Sequence, residues 1–300
     1  MMNGFSYEGS LCRPPTEAHS LVLQVTVGCP YNRCAFCADY KGELYKVKPW
    51  DVIASDIRKA RESLGDGVKR VFLASGNSIA APADLLLQTL GHLYQAFPYL
   101  EQVSIYGGAK FLKKKDDSTL LALQGAGLNK IYMGVESGND QVLQEMKKGV
   151  TAAETLAQAR RVKGVGMALS STIIFGLGGK ARSRQHATAT AQLLSAMQPD
   201  ELRLHTLMMH PKAPLYERIE RGDFQLLYRG DVLREMYEFF SQLQASCHVI
   251  SHRSNYLLLA GYLPKDRQDF LETIKQALTR EGEEALEREG LLQEELSRVL

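Results

Sequence analysis

Three of the chain's five cysteines lie within nine residues, in the segment VGCPYNRCAFCADYKG that runs from Val27 to Gly42. Four residues separate Cys29 from Cys34, and two separate Cys34 from Cys37. Clustered cysteines of a reducing compartment bind metals or act in catalysis more often than they form disulfides. The spacing therefore predicts a metal site in this loop.

The number of thiols leaves two interpretations of that site. A structural zinc ion usually has four Cys or His ligands, and the nearest histidine, His19, precedes the strand that leads into the loop. An iron–sulfur cube is commonly held by one thiolate per iron, so three cysteines would leave one iron open for a further ligand. The other two cysteines, Cys12 and Cys247, stand alone, and we expect each to be a small buried hydrophobe.

The elements that must position this loop alternate between strands and helices. Apolar runs predict strands at 21–27, 68–74, 101–107, 130–135, 168–177 and 201–208. Helical spacing predicts helices at 50–64, 82–97, 116–124, 139–149, 151–163, 183–197 and 231–244. Six strand–helix units predict a parallel sheet with right-handed crossovers. Because a complete eight-unit barrel takes about 250 residues, the count favours an α/β fold with a partial (β/α)6 TIM-like barrel.

We predict one barrel domain with two extensions. Residues 1–19 form an N-terminal extension, 20–246 the barrel, and 247–300 a helical C-terminal extension that packs on the barrel or caps it. The first strand ends at the cysteine loop. Ligands of parallel sheets and barrels bind at the carboxyl ends of the strands, so the loop is predicted to lie in an active site.

Charge and hydropathy restrict the partners. The 36 basic and 34 acidic side chains give a net charge of +2, which offers no electrostatic case for nucleic acid or an anionic membrane. No run of about 18 apolar residues predicts a transmembrane helix. The start, MMNGFSYEGSLCRPP, does not match a signal peptide. We therefore expect a cytoplasmic protein that binds neither nucleic acid nor membrane.

The cysteine loop, with Phe36 directly before the third cysteine, resembles that of radical S-adenosylmethionine (SAM) enzymes. The resemblance implies a [4Fe–4S] cluster on Cys29, Cys34 and Cys37, with SAM chelating the fourth iron. It also implies reductive cleavage of SAM to a 5'-deoxyadenosyl radical that takes a hydrogen atom from the substrate. Phe36 would lie near the adenine. The commonest family spacing is three residues, then two, so the four-residue gap marks a subgroup.

Three further segments carry the resemblance. In LASGNSIA, Gly76 and Asn77 stand where the family has a turn whose backbone meets the SAM amino group, although the acidic residue of that turn is absent. MGVESGNDQVLQEMKKGVT (133–151) is similar to the branch with oxygen-independent coproporphyrinogen oxidases and methylthiotransferases. This similarity implies that Glu136, followed by Ser137, contacts the SAM ribose. In IIFGLGGK, Gly176 would lie near the adenine.

The alternatives are structural roles for several of these residues. Asn77 could belong to an ordinary turn, and Glu136 could be a carboxylate favoured at a helix start. Other candidates are Arg160 or Arg161 for the SAM carboxylate, His205 and His210 for the cavity, and His252, Arg253 and Asn255 for the substrate. The resemblance also implies a small-molecule substrate and an electron donor such as flavodoxin or ferredoxin. A zinc-binding or electron-transfer protein without radical chemistry is the alternative function.

Overall fold

A sheet of eight strands in the order β1-β4-β5-β6-β7-β8-β9-β10 forms the framework of the fold. The computed structural model describes residues 4–251 and 255–282. The strands are β1 (Leu21–Gln24), β2 (Thr26–Val27), β3 (Lys46–Val47), β4 (Arg70–Ala74), β5 (Gln102–Tyr106), β6 (Leu128–Glu136), β7 (Ala168–Phe175), β8 (Glu201–Thr206), β9 (His248–Ser251) and β10 (Ala260–Tyr262).

Helices follow most strands and cover the outside of the sheet. They are α1 (Trp50–Leu64), α2 (Ala83–Ala96), α3 (Ala109–Leu112), α4 (Asp117–Gly125), α5 (Asp140–Glu145), α6 (Ala152–Gly164), α7 (Gly179–Met197), α8 (Pro214–Glu220) and α9 (Arg229–Gln242). Short 3-10 turns lie at Pro15–Glu17 and Ser78–Ala80. Residues 267–282 are also helical, and Phe270 and Ile274 of that segment are buried in the main core.

The strands alternate between two buried faces, as the two-residue period of a strand requires. In β6, Ile131, Met133 and Val135 belong to the main hydrophobic core, which includes residues of the surrounding helices. Tyr132, between them, packs instead with Phe72 and other inner residues. The sheet therefore has an outer face under the helices and an inner face that lines a lumen.

The predicted fold class is confirmed. Strands β1 and β4 to β9 pair in parallel with their sequence neighbours, while β10 runs antiparallel to β9. No ladder joins β1 to β10 among the described residues, so the barrel is partial. β9 adds a seventh parallel strand beyond residue 246. The proposed domain boundaries after 19 and 246 stay a prediction, and the expected terminal helix lies mostly beyond residue 282, outside the described residues.

Two predicted elements differ from those observed. The strand expected at 21–27 breaks at Val25, and β2 leaves the sheet to pair antiparallel with β3. The helix expected from Ser183 begins earlier, at Gly179, but Arg182 (φ −131°, ψ 16°) interrupts its regular geometry. The regular part of this helix therefore begins at Ser183, the residue at which the sequence predicted the helix to begin. Within the part of the chain that the structure describes, no helix has the length and apolarity needed to cross a membrane.

Candidate functional site

The cysteine loop is fastened at its first end to the turn after β4. The β2–β3 ribbon closes the base of the loop. The carbonyl of Gly28 accepts hydrogen bonds from Gly76 N at 3.2 Å and from Ser75 Oγ at 2.7 Å. Ser75 has a φ of +129°, a conformation that costs a non-glycine residue free energy and is usually kept at functional sites. The two turns therefore form one unit.

The middle of the loop is held by two short helices. Ala35 N donates to the carbonyl of Met146, just after α5, at 2.8 Å, and the carbonyl of Ala35 accepts from Leu215 N in α8 at 2.8 Å. The hydroxyl of Tyr31 donates to the carbonyl of Lys147 at 2.8 Å. Phe36 packs against the apolar cluster that contains Met146 and Leu215. The loop thus has partners on both sides.

The three thiols of the loop are partly buried neighbours that interact electrostatically. Burial raises the pKa of the Cys34 thiol, and the Lys148 ammonium opposes this shift. Burial, followed by the Asp39 carboxylate, raises the pKa of Cys37 to about 12. Metal ions bind thiolates and displace their protons. Three neighbouring thiols that release their protons to solvent when they bind iron fit such a donor set.

The arrangement of the thiols also bears on the kind of metal group. The loop supplies three cysteine thiols, one short of the four Cys or His ligands that usually complete a structural zinc site. A zinc ion needs its ligands about 2.0–2.3 Å away, whereas an iron–sulfur cube takes one thiolate for each iron. The loop therefore fits a cluster with separate iron sites.

Glu136 and Lys148 form a largely buried ion pair beside the loop. Glu136 ends β6 with a φ of +67°, at a register irregularity between β6 and β7. Its Oε1 lies 2.9 Å from Lys148 Nζ, and the two side chains are 10% and 15% exposed. Gly134 makes room for the pair, because a Cβ there would lie 2.2 Å from Glu136 Oε1. Lys148 Nζ lies 5.9 Å from the centre of the Phe36 ring. A carboxylate and an ammonium therefore face the thiols.

The turn after β4 brings its glycine against the loop. A Cβ on Gly76 would lie 2.7 Å from Cys29 Cβ and 2.9 Å from Tyr40 Cε2, so only glycine fits this contact without movement. Asn77 has a different role in this structure. Its Oδ1 accepts a hydrogen bond from Gly108 N at 3.0 Å, which ties the turn after β4 to the turn after β5. Gly76 thus touches the candidate site, while Asn77 supports the site's frame.

A buried network joins the turn after β6 to strand β7 through His186 of α7. Ser137 Oγ lies 2.8 Å from His186 Nδ1, and His186 Nε2 lies 3.1 Å from the carbonyl of Ile174. A histidine with its proton on Nε2 donates to that carbonyl and accepts from Ser137. Burial lowers the pKa of His186 to about 4, so the ring is neutral near pH 7. His186 therefore fixes Ser137, and with it the backbone next to Glu136.

Glu235 of α9 holds the glycine turn after β7. Gly176 N donates to its Oε1 at 2.6 Å, and the Ser183 hydroxyl donates to its other oxygen. Gly176 has a φ of +84°, which favours glycine. Glu235 Oε1 also lies 3.6 Å from His186 Nε2. Burial raises the pKa of Glu235 to about 7. Ser137 and Gly176 are thus joined through two side chains that the sequence did not indicate.

The remaining candidates lie away from the cysteine loop or have structural partners. Arg160 is exposed, and Arg161 is bound by Asp117, Gln158 and two carbonyls on the outside of the barrel. His210 is exposed and accepts from Lys212 N at 3.1 Å, whereas His205 is partly buried on β8. Asn255 is tied to Thr206 and to the carbonyl of Leu204. His252 and Arg253 lie outside the described residues.

Lys148 is a cation beside the thiols, whereas Arg160 and Arg161, which the sequence analysis named as candidates, lie on the outside of the barrel. Lys148 belongs to the segment 133–151 that carried the resemblance, so its position was a usable signal. His186 and Glu235 carried no such signal, because each meets its partner across about 50 or more residues of chain.

Comparisons with known proteins show what this chain is similar to. The model of the Radical SAM superfamily matches residues 23–191, which is more than half of the chain. A tRNA-2-methylthio-N(6)-dimethylallyladenosine synthase from Alkalilimnicola ehrlichii is 26% identical over 183 residues, which cover 58% of this chain and 40% of that protein. A synthase of the same name from Colwellia psychrerythraea is 36% identical over 73 residues, which cover 24% of this chain and 15% of that protein. The chain thus spans less than half the length of these relatives.

Solved structures share the fold. Coproporphyrinogen III oxidase (HemN) from Escherichia coli, described as a radical SAM enzyme, superposes with a TM-score of 0.56 at 19% identity, over 74% of this chain and 52% of that one. The radical SAM methyltransferase TsrM from Kitasatospora setae, with cobalamin and a [4Fe–4S] cluster bound, gives 0.56 at 19% identity, over 68% and 39%.

Proposed function

The chain belongs to the radical SAM superfamily, and from this premise we propose how its residues hold the cofactors and on what it acts. The enzyme uses a [4Fe–4S] cluster and SAM. We propose that Cys29, Cys34 and Cys37 bind the cluster and leave one iron for SAM. When bound, the cluster supplies the electron that cleaves SAM and starts radical chemistry on the substrate. The observation that carries this proposal is the cysteine loop fastened to Gly76 and facing Glu136 and Lys148.

The protein's own groups divide the binding of SAM among three turns. The backbone at Gly76, open because no side chain intervenes, is proposed to receive the amino group. Glu136 accepts hydrogen bonds, as a carboxylate can from two ribose hydroxyls. Lys148 orients Glu136 and adds positive charge near the SAM carboxylate. Phe36 and Gly176 flank the adenine. Ser137 accepts a hydrogen bond from Asn139 N and so fixes the segment that leads into α5.

The substrate is proposed to be a small molecule, and the electron donor a one-electron carrier such as flavodoxin or ferredoxin. The activity in the names of the two synthases forms no part of the proposed function, because the chain spans only part of their length. Cys12 and Cys247 also lie apart: Cys12 interacts with Asp39, whereas Cys247 interacts with Asp200 next to β8. This separation supports a reaction without a second cluster. A cytoplasmic location remains part of the proposal.

The Cys34→Ala variant tests the function. After anaerobic reconstitution, the unmodified protein should hold about four irons per chain and release 5'-deoxyadenosine on reduction with SAM. Cys34→Ala should lose both, and Cys247→Ala, outside the loop, should keep both. A colourless unmodified protein that retains zinc would support the metal-binding alternative. Undiminished 5'-deoxyadenosine from Cys34→Ala would reject the proposed ligand set.

A further inference from the structure

The lumen holds charged side chains in matched pairs on its inner face. Glu17 accepts from Arg70 Nη2 at 3.1 Å and from the Tyr132 hydroxyl at 2.6 Å. Glu201 of β8 pairs with Lys130 of β6 at 3.0 Å. Each carboxylate thus has one cation. This is the usual state of charges removed from water, because an unpaired buried charge is costly.

Arg203 breaks that balance. It lies between Leu202 and Leu204, which belong to the outer core, so its side chain points into the lumen. The residue is 7% exposed, and its guanidinium carbon lies 5.7 Å from the centre of the Tyr132 ring. The ion pairs of the described residues occupy Arg70 and Lys130 but do not include Arg203. Among the described residues, Arg203 is therefore a buried lumen cation that forms no ion pair.

A short series of contacts connects Arg203 to the cysteine loop. Arg203 lies over the Tyr132 ring, whose centroid is 6.2 Å from that of Tyr106 at the carboxyl end of β5. Leu11, next to Cys12 in sequence, packs against the same inner cluster as Tyr106. Cys12 in turn faces the hydroxyl of Tyr40, whose ring packs on Gly76. Cys12 and Tyr106 are both partly exposed, so solvent reaches this part of the lumen. Arg203 thus lies on the inner side of the proposed SAM site.

We infer that Arg203 binds the carboxylate of a small-molecule substrate within the lumen. A planar guanidinium matches a carboxylate through two parallel hydrogen bonds. One guanidinium without an ion-pair partner matches the charge of one carboxylate, whereas a phosphate dianion would add a second negative charge near Asp39 and Glu43. The inference rests on the proposed function, since it names the substrate class of the same site.

Two acidic groups act against this binding. Asp39 and Glu43 interact with the Cys12 thiol, and Asp39 also interacts with Tyr106. An anion is therefore attracted to the Cys12 region only if the attraction of Arg203 exceeds the repulsion of both carboxylates.

Cys12 makes this balance measurable without a known substrate. Iodoacetate and iodoacetamide alkylate the same thiol and differ in one carboxylate charge. In the anaerobically reconstituted holoenzyme, the rate at which each reagent alkylates Cys12 is measured by mass spectrometry of the peptide that contains Cys12. We expect the iodoacetate-to-iodoacetamide ratio to exceed that of N-acetylcysteinamide, a neutral free thiol, by about tenfold. Arg203→Gln should return the ratio to the reference, and Arg160→Gln, an exposed arginine on α6, should not change it.

A second measurement covers the case in which Arg203→Gln does not fold. In the unmodified protein, acetate should slow alkylation of Cys12 by iodoacetamide more than chloride does at equal ionic strength. A ratio at or below the free-thiol value, with no protection by acetate, would overturn the inference. Neither readout depends on SAM cleavage. If the unmodified protein forms 5'-deoxyadenosine normally but shows no preference for iodoacetate at Cys12, only the carboxylate site is rejected. If it shows the preference but forms no 5'-deoxyadenosine, only the proposed function is rejected.

Discussion

Ser137 Oγ lies 2.8 Å from His186 Nδ1, and this hydrogen bond joins the residue after Glu136 to the helix that follows the next strand. Both groups are buried, with Ser137 fully so. The histidine uses its other nitrogen for the carbonyl of Ile174. The turn after β6 and strand β7 therefore share one side chain, and the position of Glu136 depends on a residue that lies outside the cysteine loop.

Replacing His186 should cost stability and weaken SAM binding together. His186→Leu leaves the buried Ser137 hydroxyl proton without its acceptor and removes the donor to the Ile174 carbonyl, so we expect the free energy of unfolding to fall by about 2–4 kcal/mol. Urea denaturation of the metal-free protein measures this change. His92→Leu, an exposed histidine on α2, should cost about 0.5 kcal/mol or less. Equal losses for the two variants would show that the network contributes nothing.

The pH dependence of stability should report Glu235. Its pKa is raised from 4.5 to about 7, so the folded state holds this proton more tightly than the unfolded state does. Its contribution is therefore greatest below pH 4.5 and is lost as the pH rises towards 7, by about 3 kcal/mol. His186, with a pKa lowered to about 4, acts in the opposite direction between pH 4 and 6.5, since its neutral form is favoured by folding.

The pH dependences of stability that arise from Glu235 and His186 overlap. The difference in the free energy of unfolding between the Glu235→Gln variant and the unmodified protein isolates the contribution of Glu235. Glu235→Gln should become more stable relative to the unmodified protein as the pH rises from 4.5 to 7, and the difference should stay constant above that. Glu220→Gln, an exposed glutamate at the end of α8, should give a flat difference. Chemical denaturation across this pH range measures both, and a flat curve for Glu235→Gln would contradict the assignment.

The sequence predicted those features that depend on residues close together in the chain. The six strands between residues 21 and 208 were visible as apolar runs, because burial on both faces imposes that pattern. The helix predicted at 151–163 begins at a capping box whose two residues, Thr151 and Glu154, are three apart, and both of its hydrogen bonds are present. The cysteine loop was recognisable because its three thiols lie within nine residues.

The parts that sequence reasoning missed depend on distant partners or very short elements. Lys147 and Lys148 are adjacent and chemically alike, and only the fold decides that Lys148 turns towards Glu136 while Lys147 is exposed. The pairing of Glu235 with Gly176 spans 59 residues. Strands such as β2 and β3, with two residues each, are too short to show a period. Their existence follows from the loop they close, not from local propensity.

Lys148 should be needed for SAM binding more than for folding. Lys148→Met removes the ammonium beside Glu136 and Cys34, so we expect the SAM dissociation constant to rise by about tenfold or more. Lys148→Arg keeps a charge and should retain most of the affinity. Lys147→Met is the matched control, since its exposed side chain is the neighbour in sequence. Calorimetric titration of the reconstituted proteins with SAM measures the three, and unchanged affinity in Lys148→Met would remove its proposed role.

Two glycines should separate cluster binding from SAM binding. In Gly76→Ala, the new Cβ would lie 2.7 Å from Cys29 Cβ, so we expect the cysteine loop to shift and iron content to fall. In Gly134→Ala, it would lie 2.2 Å from Glu136 Oε1, so the ion pair with Lys148 should be displaced while the loop keeps its iron. Iron analysis and SAM titration of both variants check this division.

The control for that pair is Gly91→Ala in the middle of α2, where an added Cβ meets no atom within 4 Å. Alanine loses less conformational freedom than glycine on entering a helix, so this variant should be more stable by about 0.5–1 kcal/mol, with iron and SAM binding unchanged. If Gly134→Ala lost iron to the same extent as Gly76→Ala, Glu136 and Lys148 would be part of the support of the cluster loop itself. The separation of the two roles would then be wrong.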